Sequence, residues 1–418
     1  MKSGLLFLLI LFFLLLLSVF MPICSMAKTE GCIEAAGYYF TEISQNKQRI
    51  DIQVNLKTSF SFYNIGKGFT SFKFYADDFS GESKNNTLSL DEAYLDFYTE
   101  NTDIRLGKQY IFWGRVSGID TPTNNINSWD YARIKPDLEQ QKIAVDALQI
   151  NYFKGFDLIF QGVWIPEFIP SKLPPIFPPQ GVSIKKTKFP APQLKNSSLG
   201  FKIDKFSARG DFSFDYLYTW DSFPDYELDL SRLPLINLNS AYHRVSIYGA
   251  DFSSDVLGFD VRGEIAYFQT EDESGTSLWI KNSYLKYIFE VGYPLTDEID
   301  IIAQLSGKKI SNFKSSQEYP GVSQEVAKQI SIFYGEQVPW QSLITAYLNS
   351  WYDKLKIEFK GTYNLTLYDY LLSSQLSYEL GEGFNIGFGA VIFGGRAETR
   401  FGMMDNQDFI WGELSYNF

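Results

Sequence analysis

Cysteine and histidine are scarce in this chain of 418 residues, which contains two Cys and one His. Cys24 lies in the apolar N-terminal segment, so a chain cleaved after that segment keeps only Cys32 and forms no internal disulfide. Zinc sites use three or four His, Cys or carboxylate ligands, and His243 with Cys32 makes too small a His/Cys set. We therefore expect no disulfide framework, no metal site and no cofactor.

Long basic segments are also missing. The chain has 37 Lys and Arg against 49 Asp and Glu, and its formal net charge is −12. Nucleic-acid binding needs a concentrated positive surface to replace the counterions of the phosphates, so we expect no nucleic-acid partner. The lone histidine, His243, stands beside Arg244 at the start of a predicted strand. This position is typical of a hydrogen-bonded structural residue, and we expect no enzyme.

Only one long apolar run is present, and it lies at the N-terminus. Leu5–Phe20 is almost entirely Leu, Phe and Ile, it follows Lys2, and Ser25-Met26-Ala27 offers the small residues of a cleavage site. This pattern predicts a signal peptide, residues 1–27, with an uncleaved anchor as the alternative. A membrane-spanning helix needs roughly 20 apolar residues. No later segment approaches that length, which excludes a bundle of membrane helices.

Aromatic residues are abundant, and apolar residues recur with a period of two. Phe, Tyr and Trp make up 17% of the chain. Apolar and polar residues alternate over Ile50–Lys57 and over Leu355–Tyr363, and Phe384–Ile392 places its large apolar residues on one face. Side chains of a strand point to alternate sides, so these segments predict strands with one apolar face. A soluble sandwich and a transmembrane barrel both share this pattern.

The connections separate those two alternatives. Seventeen segments can be placed from residue 50 onward, and Gly37–Ile43 supplies another, which gives about 18 strands, with 16 as the alternative. Short turns and long loops alternate along the chain, as in outer-membrane barrels, whose periplasmic turns are short. We predict one all-β domain, residues 28–418, folded as an antiparallel up-and-down transmembrane barrel. Its long extracellular loops are expected near 111–142, 166–196, 220–242, 308–340 and 394–408.

The last ten residues, Phe409–Phe418, carry the most specific pattern. Ile410, Gly412, Leu414, Tyr416 and Phe418 share one face, and the chain printed here ends on an aromatic residue. This resembles the C-terminal strand signature of outer-membrane proteins. The resemblance implies that Tyr416 and Phe418 form an assembly signal. It also implies periplasmic chaperones, the barrel-assembly machinery and outer-membrane lipid as partners, and the outer membrane of a Gram-negative-type bacterium as the location.

The polar strand faces predict a hydrated interior. A barrel of about 18 strands is too wide to be filled by strand side chains alone, so loops must narrow it. The loop at 111–142 combines both charges with many amides and is the best candidate for a constriction, with an outward surface loop as the alternative. The candidate lumen and constriction residues are Arg105, Gln109, Arg115, Asp120, Asp130, Arg133, Arg262, Glu264, Lys356, Glu358 and Lys360.

Two stretches, Leu106–Gly114 and Val163–Pro174, resemble a family of porin-like outer-membrane barrels of mostly unknown function. They resemble the alginate-export type of barrel more distantly. The family pattern is a Gly-Arg-Gln strand end followed by Trp-Gly, and Lys108 replaces its Arg here. The resemblance implies a passive channel for small polar solutes; no oligomeric state is predicted. The alternative is a plugged barrel that acts as a surface adhesin, a receptor or a structural protein.

Overall fold

The computed structural model describes residues 28–40, 48–62, 65–79, 85–118, 121–131, 141–173, 182–184, 187–229, 236–315, 318 and 324–418. The predicted signal peptide, residues 1–27, lies outside these ranges. One α-helix, α1 (Gln324–Tyr334), is present in the described part of the chain together with the strands. No helix among the described residues is long and apolar enough to cross a membrane.

Strands dominate the structure. In chain order they are β1 (Lys28–Phe40), β2 (Gln48–Phe62), β3 (Gly66–Phe79), β4 (Asn85–Tyr98), β5 (Thr102–Gln109), β6 (Val145–Lys154), β7 (Leu158–Ile165), β8 (Val182–Ile184), β9 (Ser198–Lys205), β10 (Asp211–Trp220), β11 (Asp225–Asp229), β12 (Ile236–Ala241), β13 (Arg244–Val256), β14 (Phe259–Thr270), β15 (Tyr284–Thr296), β16 (Ile299–Ile310), β17 (Trp340–Tyr352), β18 (Leu355–Asn364), β19 (Tyr370–Gly381), β20 (Phe384–Gly394) and β21 (Phe409–Asn417).

All strands except β8, β11 and β12 form one closed sheet of 18 antiparallel strands. The sheet closes where β1 pairs with β21, in the register that sets Gly37 opposite Gly412. Beyond β21, the backbone N–H groups of Gly31 and Phe418 each donate to the other's carbonyl oxygen, with N–O distances of 2.9 Å. Closure leaves no strand edge unpaired, because every strand has two neighbours. The predicted all-β barrel of 18 strands is confirmed, and the alternative of 16 is excluded.

The first strand lies earlier in the chain than its sequence indicates. The predicted segment was Gly37–Ile43, whereas β1 covers Lys28–Phe40 and residues 41–43 fall outside the described ranges. Small residues such as Gly31 and Ala35 on its outward face weaken the alternation that would identify a strand. Pairing with β2 on one side and β21 on the other supplies the hydrogen bonds that hold this segment extended.

The two ends of the barrel differ in their connections. At one end, which we call the turn end, neighbouring strands are joined by short turns. Leu257, Asp353 and Glu382 adopt positive φ in three of them, the conformation that tight hairpin turns require. The long connections lie at the other end, which we call the loop end. There β8, β11 and β12 form a separate three-stranded sheet, so the loops predicted at 166–196 and 220–242 contain short strands.

The outward face of the barrel is an apolar belt. Outward side chains such as Ile50, Phe214 and Ile344 are 59%, 67% and 45% exposed. On β17 this belt is bounded by exposed Trp340 at one end and Tyr352 at the other. A continuous apolar surface of this extent, edged by aromatic residues, is the lipid-facing surface of a membrane barrel.

Candidate constriction inside the barrel

The described residues between β5 and β6, which are 110–118, 121–131 and 141–144, fold into the barrel and are called the inward loop. Its side chains Ile111, Trp113 and Ile126 are buried. They pack against inward-facing residues of neighbouring strands in one apolar cluster, whose strand members are Val145, Ala147, Val163, Ile165, Leu217, Val245, Ile247, Ala266 and Phe268. The indole Nε1 of Trp113 also donates a hydrogen bond to Gln161 on β7. This cluster holds the inward loop against one side of the barrel.

The apolar cluster departs from the simple rule that polar faces line the interior. On β7 the exposed Phe160 faces outward, while Val163 and Ile165 face inward and are buried beneath the inward loop. Over Phe160–Ile165, both faces of β7 therefore carry apolar side chains. The sequence carries a signal for this, because Leu158–Ile165 is a nearly continuous apolar run, as expected of a strand covered on both faces.

The tip of the inward loop is fastened by two carboxylates of the barrel wall, Glu264 and Glu290, which we call the carboxylate latch. Glu264 accepts hydrogen bonds from the backbone N–H groups of Arg115 and Val116, both at 2.8 Å. It also accepts from the backbone N–H and hydroxyl of Thr123, at 3.2 and 2.8 Å. Only 3% of Glu264 is exposed. A buried carboxylate is costly unless it is fully hydrogen-bonded, and these four donors meet that requirement.

The second latch residue, Glu290 on β15, binds the next part of the tip. It accepts hydrogen bonds from the backbone N–H and hydroxyl of Ser117, at 3.1 and 3.2 Å. Gln304 on β16 donates from the same amide nitrogen to Glu290 at 2.6 Å and to the carbonyl of Ser117 at 2.7 Å. Side chains from successive strands β14, β15 and β16 therefore fix the backbone of the loop tip.

Arg115 anchors the tip through its side chain. Its Nε donates to Asp251 at 2.7 Å and its guanidinium also donates to Asp204 at 3.1 Å. Arg262 donates to the carbonyl of Arg115 at 3.1 Å and pairs with Asp260. Of the predicted arginines, Arg115 therefore binds the wall and Arg262, on β14, binds the loop tip. Sequence patterns did not single out three further residues, Asp204, Asp251 and Glu290. The one signal that could have indicated them is their inward position on a strand.

Other predicted residues lie away from this tip. Gln109 is fully buried beneath the inward loop, where its amide donates to the carbonyl of Ala147 at 3.0 Å. Asp130 lies nearer the loop end and pairs with Lys172 at 2.7 Å. Asp120 and Arg133 fall outside the described residues. Gln109 therefore supports the loop, and Asp130 joins it to the connection between β7 and β9.

The wall formed by β18–β21 and β1–β3, which we call the opposite wall, lies across the closed sheet from the strands that carry the apolar cluster, β6 to β14. On β18, Lys356 pairs with Glu358 at 3.0 Å, and Lys360 lies 5.0 Å from the ring centroid of Tyr347 on β17. All three predicted residues of β18 are partly exposed. They lie two strands from β16, on a part of the wall that the apolar cluster beneath the inward loop does not cover.

Arg105, on β5 next to the opposite wall, is held by Asp96. The pairing is bidentate, with distances of 2.6 and 3.0 Å, and the guanidinium stacks 4.0 Å from the ring centroid of Tyr94. The charge of Arg105 is therefore neutralised by Asp96, and its guanidinium is held in one orientation on the interior wall.

A second connection also folds inward, which the sequence did not indicate. In the segment between β20 and β21, Phe401 is buried with Phe393 and Trp411, and Met404 packs against the same cluster. The carboxylate of Asp369 accepts a hydrogen bond from the backbone N–H of Phe401 at 2.8 Å. This cluster narrows the loop end on the side away from the inward loop.

A buried ionic network ties several loops together at the loop end, and we call it the loop cap. Lys281 contacts Asp225 at 2.8 Å and Asp221 at 3.2 Å, and His243 Nδ1 lies 2.8 Å from the other oxygen of Asp225. The hydrogen bond to Asp225 raises the pKa of His243. Burial alone would raise the pKa of Asp225, but His243 and Lys281 hold it below its usual value. The predicted structural role of His243 matches this geometry.

Helix α1 completes the loop cap. Ala327, Ile330 and Tyr334 are buried against Tyr226 and Leu278 in an apolar cluster. The hydroxyl of Tyr334 accepts a hydrogen bond from the backbone N–H of Tyr226 at 2.8 Å. The loop cap therefore joins three separate connections of the loop end into one packed unit.

Comparison with known proteins gives matches at the level of structure alone. No protein-family profile and no curated protein sequence matches the chain. Among solved structures, Pseudomonas aeruginosa OccK8 (OprE) is similar with a TM-score of 0.55, 8% identity, and coverage of 94% of this chain and 98% of that one. Acinetobacter baumannii OccAB1 gives a TM-score of 0.55 at 8% identity, covering 94% and 96%.

A third similar structure is Pseudomonas aeruginosa OccK2 (OpdF) in complex with glucuronate, with a TM-score of 0.54, 9% identity, and coverage of 94% and 98%. At such low identities the likeness establishes the fold alone. These neighbours are outer-membrane porins with 18-stranded barrels. The chain therefore has the fold of the outer-membrane porins, a closed barrel of 18 antiparallel strands.

Proposed function

We propose that this protein is a porin-like channel in the outer membrane of a Gram-negative-type bacterium and passes small hydrophilic solutes without an energy source. One observation carries the proposal: the inward loop packs on the strands of the apolar cluster and is latched at its tip by Glu264 and Glu290, while the charged side chains of β18 lie outside the strands it covers. A loop fixed in this way narrows an 18-stranded lumen from one side. Charges of both signs on the opposite wall keep the remaining space hydrated.

The apolar belt makes outer-membrane lipid the partner of the outward face. The pairing of β1 with β21 closes the sheet, so we expect a solute to cross through the interior. Arg105, Lys356, Glu358 and Lys360 are the residues that we expect to meet a passing solute. We assign no catalytic step to the protein. Tyr416 and Phe418, in turn, remain our proposed signal for the chaperones and the assembly machinery.

A plugged barrel that acts as a receptor or adhesin is the second candidate. It is favoured by the amount of structure at the loop end, where helix α1, the loop cap and the inward-folded segment with Phe401 all gather. The distant resemblance to alginate-export barrels is a further part of the proposal. It rests on Leu106–Gly114, in which Trp113 is the buried anchor of the inward loop.

Planar-bilayer recording separates the two candidates. Purified, folded protein should give stepwise increases in conductance as single barrels insert. The same preparation after boiling is the control and should give none. Folded barrel that inserts, as judged by protection from protease in vesicles, but conducts no ions would refute the channel and favour the plugged barrel.

A further inference from the structure

Charged side chains of the interior fall into two groups, those neutralised by a partner and those without one. The paired group includes Arg49 with Asp51 at 3.0 Å, Arg105 with Asp96 at 2.6 Å, and Lys356 with Glu358 at 3.0 Å. Each of these pairs brings one cation to one carboxylate. Such pairs carry no net charge and give the lumen little preference for either sign of ion.

The group without partners is dominated by carboxylates. Glu34, Asp103, Asp300 and Glu379 occupy inward positions of β1, β5, β16 and β19, because outward neighbours such as Ile33, Ile301 and Tyr378 are exposed apolar residues. Among the described residues, no cation lies within ion-pair distance of these four. Lys57 and Lys67 occupy inward positions without an ion pair among the described residues, and Lys286 and Lys360 lie over the rings of Phe268 and Tyr347. The four carboxylates, Lys57 and Lys67 are partly or fully exposed, so their charges act on the water of the lumen.

The carboxylate latch adds to this excess. The hydrogen bonds that Glu264 accepts come from three backbone N–H groups and a hydroxyl, all of them neutral donors. The positive charge of Arg262 is shared between two carboxylates, because Arg262 pairs with Asp260 and also lies 3.6 Å from Glu290. Around the latch, the described residues therefore contain more carboxylates than cations to balance them.

We infer that the lumen selects for small hydrophilic cations over anions, an inference that rests on the proposed channel function. Fixed charge of one sign in a narrow aqueous space raises the local concentration of the opposite ion. The Debye length is about 10 Å at 0.1 M ionic strength and about 3 Å at 1 M. The excess carboxylates therefore act across much of the lumen in dilute salt and only near the wall in concentrated salt.

The test is the reversal potential of the folded protein in planar bilayers under a KCl gradient. In dilute KCl we expect the sign that corresponds to potassium passing faster than chloride. The permeability ratio should fall toward one when both solutions are made concentrated at the same gradient. A reversal potential near zero, or one of the opposite sign, in dilute KCl would overturn the inference while leaving the channel intact. If the inserted protein shows no conductance, both the proposed channel function and the inferred preference for cations are refuted.

A pair of triple variants locates the source of the preference. Asp103→Asn, Asp300→Asn and Glu379→Gln together should bring the potassium-to-chloride ratio in dilute KCl close to one. The matched control, Glu100→Gln, Asp297→Asn and Glu382→Gln, removes three exposed carboxylates from turns at the same end of the barrel. We expect the control to keep most of the wild-type ratio. Equal loss in both triple variants would show that the inward carboxylates are not the source.

Discussion

Glu264 on β14 accepts a hydrogen bond from the backbone N–H of Arg115 across 149 positions of sequence. This bond joins a strand in the second half of the chain to the loop that follows β5. The position of the inward loop is therefore set by a part of the barrel that is far away in sequence. Substitutions on β14 should therefore alter the position of the inward loop without any change in the sequence of the loop itself.

Glu264→Gln should loosen the tip of the inward loop. Glutamine has one acceptor oxygen where the carboxylate has two, and its N–H₂ group opposes the N–H groups of Arg115 and Val116. Hydrogen bonds to a charged group contribute about 1.5–3 kcal/mol each. We expect noisy single-channel currents with frequent partial closures. Glu358→Gln, which removes a carboxylate from the opposite wall, should leave the current steady; equal noise in both variants would contradict a latch.

Trp113→Ala should destabilise the barrel interior. Trp113 is 2% exposed and central to the apolar cluster beneath the inward loop. Truncating a buried aromatic side chain costs about 3–5 kcal/mol. Thermal unfolding followed by gel mobility of unboiled samples should therefore show a lower transition temperature. The neighbouring Phe112 is 58% exposed, and Phe112→Ala is expected to leave the transition almost unchanged.

The loop cap should respond to pH through His243. Its pKa is raised above 6.5 by Asp225, so the stabilisation is complete below pH 6.5 and is lost as pH rises through the raised pKa. The pKa of Asp225 is lowered below 3.8, so its contribution is present above pH 3.8 and is lost as pH falls through the lowered pKa. The cap is thus most stable between these two limits.

Limited proteolysis of the loop that includes residues 221–243 measures this effect. Cleavage of the wild type should be slower at pH 5.5 than at pH 8.5 when the protease is equally active at both. His243→Gln should remove that difference. A variant that keeps the full pH dependence would show that another group is responsible.

Phe418→Ala is expected to reduce the amount of folded barrel in the outer membrane. The side chain is 53% exposed on the outward face and stacks on Tyr416, so its loss creates no internal cavity. The amount of heat-modifiable protein in membrane fractions is the measurement. Phe156 is a fully exposed aromatic on a turn, and Phe156→Ala should assemble normally. Wild-type levels of the Phe418 variant would argue against an assembly signal.

Local patterns predicted the strands well where one face meets lipid and the other meets water. Leu355–Tyr363 was predicted as part of a strand from alternation, and β18 covers Leu355–Asn364. The same rule missed the apolar interior at Val163 and Val245. Alternation assumes a wet lumen, whereas these residues are covered by the inward loop.

The chemistry of the constriction was harder to predict than the strands. Arg115 and Glu264 were both chosen from the sequence, but nothing local indicated that they meet. Their contact depends on the register of strands between them and on how far the inward loop reaches. Asp251 is one of two carboxylates in β13 and Glu290 is the one carboxylate in β15, and only the assembled barrel brings them to the same loop.

The hydrogen bonds between Gly31 and Phe418 join residues nearly at the two limits of the described chain. Contacts of such long range form late, because a long loop of chain has to be closed before they stabilise anything. Until they form, β1 and β21 each present an unsatisfied edge that can pair with another molecule. The final step of folding therefore also removes the main risk of aggregation, and any delay of closure prolongs that risk.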